Sequence, residues 1–448
     1  MNLIDDFVSE YERQFDFWEA LARTARDLIE NELANSGLRA IVTSRAKSVS
    51  GLRDKLHARN PNKRYTSIKM IEHDIVDFAG VRVALYFPGQ TFEVERIIGQ
   101  LFEVVETKPF PPPTPPNSPV NGHSSGGVGG KEDSSTQSQS KKRFSGYNAR
   151  HYRIKIPIVQ LRPGQERYSA ALVEIQVASV LMHAWSEVEH DLAYKPSSGD
   201  LSATEHAILD QLNGLVLAGE IALEQLQKAG EERVATTGEA LRSHYELGEY
   251  IRTRLKELGT DLSASGLGRV DVLFDYLAEQ GSVRTALIDP YLKTLSQESE
   301  EGPVAARLAD LMLSGDEERY DAYRRAMSKS GGTRGRAGLT LSEIKTDSPR
   351  TLAVGKFMAE WIALESLVRP PVEAADSRIQ SVRAEIDGLV NAGIISQEQK
   401  STWNEIRKLR NRTVHGMADD VSTERLLDAA AKLHELSETI RKSGTGPN

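Results

Sequence analysis

The chain's 448 residues predict an α+β first half followed by an all-α C-terminal half. Two observations carry that expectation. Up to about residue 180, runs rich in β-branched and aromatic residues, such as Val81-Arg82-Val83-Ala84-Leu85-Tyr86-Phe87, alternate with helical stretches. Beyond it, apolar residues recur at steps of three or four. The length suits two or three domains, and 39% hydrophobic with 27% charged residues lets each bury an ordinary core.

Phe7, Tyr11, Phe15, Trp18, Leu21, Ala25 and Leu28 form the apolar stripe of a first helix that runs through residue 33, and Asn35, Ser36 and Gly37 end it. Ile41-Val42 reads as a strand end, residues 51–58 as a helix, 81–87 as a strand and 91–101 as a helix. Residues 108–143 then hold seven of the eighteen prolines and a Gly/Ser/Gln-rich run. Such sequence buries too little apolar area to offset its ordering entropy, so it is expected to be disordered. Strands resume at 152–156 and 172–177, which makes the segment an insertion within one domain. The expected domains are 1–200, a helical region 201–330, and a helical bundle 345–442, with Gly331-Gly332-Thr333-Arg334-Gly335 as a linker. The apolar run Leu212–Glu220 is expected to pack on the first domain.

Net charge is −8, which argues against a chain-wide nucleic-acid coat. The absence of cysteine removes disulfides, thiolate zinc sites and cysteine nucleophiles. The acidic N-terminus lacks the pattern of a signal peptide, and no run approaches the ~20 apolar residues of a membrane span. A cytoplasmic protein without a membrane partner is expected.

Three clusters in the first domain could carry chemistry. In Arg45-Ala46-Lys47-Ser48-Val49-Ser50-Gly51-Leu52-Arg53-Asp54-Lys55, cations sit beside small residues where a strand runs into a helix. Backbone donors, a helix N-terminus and ammonium groups together can hold a polyphosphate, although a solvated basic helix face would read alike. In Asp74-Ile-Val-Asp77-Phe-Ala-Gly80-Val-Arg82, Asp77 precedes a glycine and an apolar strand. It suits Mg²⁺, which prefers carboxylate and phosphate oxygens, and equally suits a turn cap. The third cluster joins Gly146-Tyr147-Asn-Ala-Arg-His151 to Glu174-Ile-Gln176. Glu174 and Gln176 share one face of their strand. A charged Glu among Leu172, Val173, Ile175 and Val177 is costly unless a metal or partner compensates it, or the strand is an edge with Glu174 in solvent.

Taken in order, Arg-x-Lys, Lys, Asp-x-x-Gly-x-Arg, Gly-Tyr-x-x-x-His, Glu-x-Gln and Trp185-x-x-x-Glu189-His190-x-x-x-Tyr194-Lys195 resemble the synthetase domain of the RelA/SpoT family of alarmone synthetases, over roughly residues 5–196 less the insertion. The resemblance implies a nucleotidyltransferase-like mixed β-sheet flanked by helices. It implies Mg²⁺-dependent transfer of pyrophosphate from ATP to the 3′-hydroxyl of GTP or GDP, with AMP released. Arg45, Lys47 and Lys55 would grip the ATP phosphates, and Asp77 and Glu174 would hold Mg²⁺. Tyr147 would stack on the acceptor's guanine, His151 would contact the acceptor's phosphates or orient the site, and Gln176 would support Glu174. Glu174 would also take the proton of the attacking hydroxyl. Lys141-Lys142-Arg143 could add phosphate contacts or be a solvated run. The same residues suit a toxin-like relative acting on tRNA 3′ ends or adenine nucleotides, or an inactive RNA- or partner-binding module.

Two departures stand out. Many bacterial members continue Glu-x-Gln-x with Arg-Thr where this chain has Ala178-Ser179, so one cation is missing. The family's longer members carry a hydrolase with a His…His-Asp…Asp metal site, whereas here His73-Asp74 and His190-Asp191 both lie inside synthetase motifs. Synthesis without hydrolysis is expected.

Near the C-terminus, Arg410-Asn411-Arg-Thr-Val-His415 resembles the Arg-Asn-x-x-x-His element of the HEPN superfamily of helical bundles. That likeness implies RNA contact, a homo-oligomer, and in the nuclease version a site of Arg410, Asn411 and His415. Arg410 as a helix-end cation with His415 as a cap is the structural alternative.

Overall fold

The computed structural model describes residues 3–110, 148–189, 192, 201–236, 240–260, 262, 266–281, 283–297, 302–313, 316–329, 349–368, 382–414 and 421–444. The chain forms two compact units, residues 1–32 with 39–228, and 33–38 with 229–448.

The first unit carries α1 (Leu3–Arg13), α2 (Phe15–Asn35), β1 (Ala40–Ala46), α3 (Val49–Lys63), α4 (Ile68–Asp74), β2 (Ala79–Leu85), α5 (Thr91–Leu101), β3 (Glu103–Phe110), β4 (Ala149–Lys155), β5 (Val173–Ser179), α6 (Val180–Glu189) and the start of α7 (Ala203–Thr236). The sheet has the order β1-β2-β5-β4-β3; β2 and β5 run parallel and the other pairs antiparallel. The expected mixed sheet flanked by helices is therefore present.

Alternation with period two gives the sheet its two faces. In β2, Ala79, Val81, Val83 and Leu85 are buried while Gly80, Arg82 and Ala84 are half-buried. In β5, Val173, Ile175 and Val177 are buried, and Glu174 and Gln176 lie on the more open face. A second core joins α1 to α3, where Ile4, Phe7, Val8 and Tyr11 meet Leu52, Leu56, Ile71, Ile75 and Phe78.

Several local expectations are corrected. The first helix is two helices, because the Gln14 amide reaches both the Glu10 carbonyl at 3.2 Å and the Tyr11 carbonyl at 3.0 Å, tightening one turn. Its C-terminal stop is as expected: Gly37 takes φ +69°, and the amides of Gly37 and Leu38 reach back to Ala34 and Leu33. Lys108-Pro109-Phe110, expected to be disordered, complete β3. That strand lies at the sheet edge, where a proline's missing N–H is tolerated. The rest of the expected disordered segment, and the 331–335 linker, lie outside the described residues. Leu209 and Val216 of α7 do pack on Ala149, Ala178, Met182 and Trp185, while Leu212, Leu215 and Leu217 are exposed.

The second unit is helical: α8 (His244–Glu257), α9 (Val270–Glu279), α10 (Thr285–Ser296), α11 (Val304–Leu313), α12 (Glu317–Lys329), α13 (Pro349–Val368), α14 (Val382–Asn391), α15 (Gln397–Val414) and α16 (Thr423–Gly444). The helical region and the last block, drawn as separate domains from sequence, share one buried cluster from Leu241 to Leu436. Among the described residues no helix is long and apolar enough to cross a membrane.

Arg410, the first residue of the HEPN-like element, sits inside this core at 1% exposure. Its guanidinium pairs with Asp310, donates to the Tyr320 hydroxyl and to Asn411 Oδ1, and lies 5.0 Å from the Tyr320 ring and 5.6 Å from the Trp361 ring. Tyr320 in turn donates to buried Glu365 at 2.9 Å. Burial opposes the charge on Arg410, but Asp310, Tyr320 and Glu365 outweigh it. The side chain is thus a counter-ion for the core, and Asn411 serves it. His415 lies outside the described residues.

Removing one partner of a buried ion pair leaves the other charge uncompensated, at a cost of about 3–5 kcal/mol. Arg410→Met is therefore expected to lower the denaturant midpoint of the second unit sharply, read from the fluorescence of Trp361 and Trp403. A midpoint within error of the parent's would show that the cluster is not structural.

Candidate active site

The site lies on the more open face of the sheet, and its residues arrive there by strand register. Gly80 pairs with Glu174 and Arg82 with Gln176 across the parallel β2–β5 ladder. Across β4–β5, His151 pairs with Gln176 and Arg153 with Glu174. Arg45 pairs with Gly80 across β1–β2 and is exposed on the same face. One face therefore collects Arg45, Arg82, Glu174, Gln176, His151 and Arg153, although sequence separates them by up to about 130 residues.

At one end, Lys47 and Lys55 meet Asp77. Lys47 Nζ lies 2.7 Å from Asp77 Oδ2, and Lys55 Nζ lies 3.1 Å from Oδ1 and 3.2 Å from Oδ2. Local structure explains both lysines. The Lys47 amide extends the β1–β2 ladder to the Phe78 carbonyl at 3.0 Å, and the Tyr11 hydroxyl donates to the Lys47 carbonyl at 2.7 Å. Ser48 then caps α3 by accepting from the Gly51 amide at 3.2 Å, so Lys55 projects two turns into that helix. The loop bearing Asp77 is anchored behind by Asp74, which accepts from Tyr65 at 2.6 Å and from Arg59 at 2.9 Å. Burial would raise the Asp74 carboxyl, but Tyr65, Arg59 and Lys63 bring it down to about 2.

At the centre, Gln176 Nε2 donates to Glu174 Oε2 at 2.8 Å, and His151 Nδ1 lies 3.6 Å from Glu174 Oε1. Arg82 Nε donates to Gln176 Oε1 at 3.4 Å and its guanidinium pairs with Glu187 of α6. Gln176 is thereby oriented with its amide toward Glu174. Below it, His183 of α6 is buried with Nε2 3.1 Å from the Val83 carbonyl. Burial pulls that imidazole down to about 4, so it is neutral at neutral pH.

The electrostatics favour two ionised carboxylates. Burial pushes Asp77 and Glu174 up, but Lys47 and Lys55 overcome it at Asp77, and His151 and Gln176 overcome it at Glu174. Burial lowers Lys47, against Asp77, and the nearby positive charges of Lys55 and Arg45 add to that lowering. The two carboxylates also feel each other's charge.

This donor set fits Mg²⁺. Among the described residues no three His, Asp or Glu side chains converge on one point. A pair of hard carboxylates with phosphate oxygens and water completing the shell is the usual arrangement for that ion. Lys47 and Lys55 neutralise Asp77.

The structure brings Lys47 and Lys55 onto Asp77, and His151 and Gln176 onto Glu174. Tyr147 and Lys141-Lys142-Arg143 lie outside the described residues. Sequence reasoning assigned no role to Arg82, Glu187, His183 or Tyr11. For Arg82 the Gly-x-Arg spacing was the available signal. For Tyr11 there was none, since its hydroxyl meets Lys47 only through tertiary packing.

Tyr11→Phe keeps the ring among Trp18 and Phe78 and removes the hydrogen bond to the Lys47 carbonyl. A stability loss of about 1 kcal/mol is expected in denaturant titration. No loss at all would mean that this bond does not pin the start of α3.

Residues 44–199 match the family model described as "Region found in RelA / SpoT proteins". No curated protein matches the sequence significantly. Solved structures that resemble the chain include a GTP pyrophosphokinase family protein from Streptococcus pneumoniae, at 20% identity, covering 52% of this chain and 97% of that one, with a TM-score of 0.32. Small alarmone synthetase 1 from Bacillus subtilis shows 20% identity over 51% of this chain and 97% of that one, with a TM-score of 0.33. The same synthetase bound to its product pppGpp shows 19% identity over 50% and 96%, with a TM-score of 0.31. The motif-bearing strands and the lysine–carboxylate site fall within the matched span, and residues 44–199 of this chain are a domain of the RelA/SpoT family.

Proposed function

We propose that the first unit is a Mg²⁺-dependent pyrophosphokinase that transfers pyrophosphate from ATP to the 3′-hydroxyl of GTP or GDP. The observation that carries the reading is the pairing of two ionised carboxylates, Asp77 and Glu174, with two lysines on one side and a histidine on the other. Lys47, Lys55 and Arg45 would take the phosphates of ATP, exchanging the Asp77 carboxylate for phosphate oxygens. Bound Mg²⁺ would neutralise charge on the transferred group. The acceptor's 3′-oxygen would attack the β-phosphorus, and the bond from that phosphorus to the α–β bridging oxygen would break, releasing AMP with the bonding pair. Glu174, oriented by Gln176, would accept the hydroxyl's proton. Positioning and charge neutralisation would supply most of the rate.

The direct experiment incubates the purified chain with labelled ATP, Mg²⁺ and, separately, GTP, GDP, ATP or tRNA. Label on GTP or GDP is expected, and label on tRNA or ATP alone would overturn the acceptor assignment. Glu174→Gln and Asp77→Asn are each expected to lower the transfer rate by about 10²-fold or more at saturating Mg²⁺. Full turnover in either variant would displace that residue from the site.

The lysine clamp on Asp77 implies that metal and nucleotide load together. Mg²⁺ alone is expected to leave the melting temperature unchanged at low millimolar concentration, and Mg²⁺ with a non-hydrolysable ATP analogue to raise it. A shift with Mg²⁺ alone would show that the carboxylates bind metal past the lysines. The lowered Glu174 carboxyl also sets a pH expectation. Its basic form persists above the ordinary carboxylate range and is lost only as pH falls through the depressed value, so the rate should not decline with Glu174 protonation between about pH 8 and 6.

A further inference from the structure

We infer that Asp74 is a positioning residue of this site: it keeps the Arg59 guanidinium of α3 off Asp77, so that lysines alone face the carboxylate that takes the metal. This rests on the reading of the first unit as a pyrophosphokinase. Asp74 acts through Asp77, three residues further along the same loop.

Lys55 and Arg59 are four residues apart on α3, so they share one face of the helix, about 6 Å apart along its axis. Asp74, the last residue of α4, and Asp77 meet that face and divide its cations between them. Lys55 Nζ lies 3.1 Å from Asp77 Oδ1. Arg59 Nη1 lies 2.9 Å from Asp74 Oδ2, and Lys63 Nζ lies 3.3 Å from Asp74 Oδ1. The Tyr65 hydroxyl donates to the same Oδ2 at 2.6 Å, and Arg59 Nη1 also reaches the Asp74 carbonyl at 3.4 Å. Both oxygens of Asp74 are thus occupied, and its side chain is 14% exposed. Burial pushes that carboxyl up, but Tyr65, Arg59 and Lys63 outweigh it, so Asp74 keeps its charge at neutral pH.

The two carboxylates need opposite partners. Asp77 has to give up its cations when metal and nucleotide load, whereas Asp74 has nothing to exchange. A guanidinium holds a carboxylate through a planar fork of N–H donors, and an ammonium holds it as a point charge on a flexible stem. An arginine on Asp77 would therefore compete with the metal more strongly than a lysine does. Arg59 stands one turn from the rung that Lys55 occupies. Released from Asp74, its nearest acid along the row is Asp77. Asp74 removes that option by holding Arg59 one rung away, with Lys63 and Tyr65 completing its shell.

The test uses the full chain and measures binding of a non-hydrolysable ATP analogue by calorimetry across a Mg²⁺ titration, so that no turnover contributes. Asp74→Asn removes the counter-charge with little change of volume and frees Arg59. It should raise the Mg²⁺ concentration for half-maximal binding roughly 10- to 100-fold. Adding Arg59→Gln to Asp74→Asn should bring that concentration back towards the parent's. A merely structural Asp74 gives the opposite result, because the double variant lacks both halves of the pair and gains nothing. Lys55→Arg puts a guanidinium directly on the Asp77 rung with Asp74 intact, and should shift the Mg²⁺ requirement in the same direction; this arm stands even if Asp74→Asn does not fold. A parental Mg²⁺ requirement in Asp74→Asn or in Lys55→Arg would overturn the proposal. So would a raised requirement in Asp74→Asn that Arg59→Gln leaves in place. If wild type binds no analogue with Mg²⁺ and transfers pyrophosphate to neither GTP nor GDP, the pyrophosphokinase reading falls and takes this proposal with it. Wild-type binding and transfer with no rescue by Arg59→Gln removes the role of Asp74 alone.

Discussion

The parallel pairing of β2 with β5 is the constraint on which the first unit depends. It buries Val81, Val83, Val173, Ile175 and Val177 on one side and places Gly80 beside Glu174 and Arg82 beside Gln176 on the other. Core and site are thus two faces of one register. A slip by a single residue would turn Glu174 into the core and a valine or isoleucine into the site, so the apolar face that stabilises the sheet also fixes the chemistry. Arg45, His151 and Arg153 are in place only because β1 and β4 pair with this central ladder.

A sheet face that holds carboxylates out of water must compensate them, and it does so with partners that differ in kind. Asp77 is balanced by two lysines on long flexible stems. Glu174 is balanced by a strand-borne amide and an imidazole that cannot travel far. Under the proposed function, the first arrangement suits a residue whose partners exchange during substrate loading, and the second a base that stays put. Arg82, locked between Gln176 and Glu187, keeps the amide of Gln176 turned the right way. The aromatic cluster of Tyr11, Trp18 and Phe78 ties the N-terminal helices to the same place, since Tyr11 bonds the Lys47 carbonyl and Phe78 follows Asp77.

The second unit shows how a short motif is decided by its surroundings. Arg410-Asn411 is compatible with an exposed reactive pair, but the fold encloses Arg410 between Tyr320 and Trp361 and gives it Asp310 as counter-ion. Its guanidinium is 1% exposed. Its contribution is to a core that spans α8 to α16, in which Trp361 also stacks on Trp403 at 6.1 Å.

Sequence by itself determined the strands and helices whose periodicity is strong. α5 begins and ends where its apolar spacing says, and Val81 and Ile175 lie in strands because β-branched residues alternate there. It also showed which lysines, carboxylates and histidine were candidates for a site, but not which of them would meet. Weakly patterned pieces were not legible. β3 reads Glu-Val-Val-Glu-Thr-Lys-Pro-Phe, largely exposed at an edge, and shows as a strand only once β4 is there to pair with it. Tertiary structure alone decided that Tyr11 meets Lys47, that Arg82 bridges Gln176 to Glu187, that Phe110 lies over His151, and that Arg410 is buried. Each of these joins residues distant in the chain, and a local pattern specifies a face of an element but not which other element will cover it.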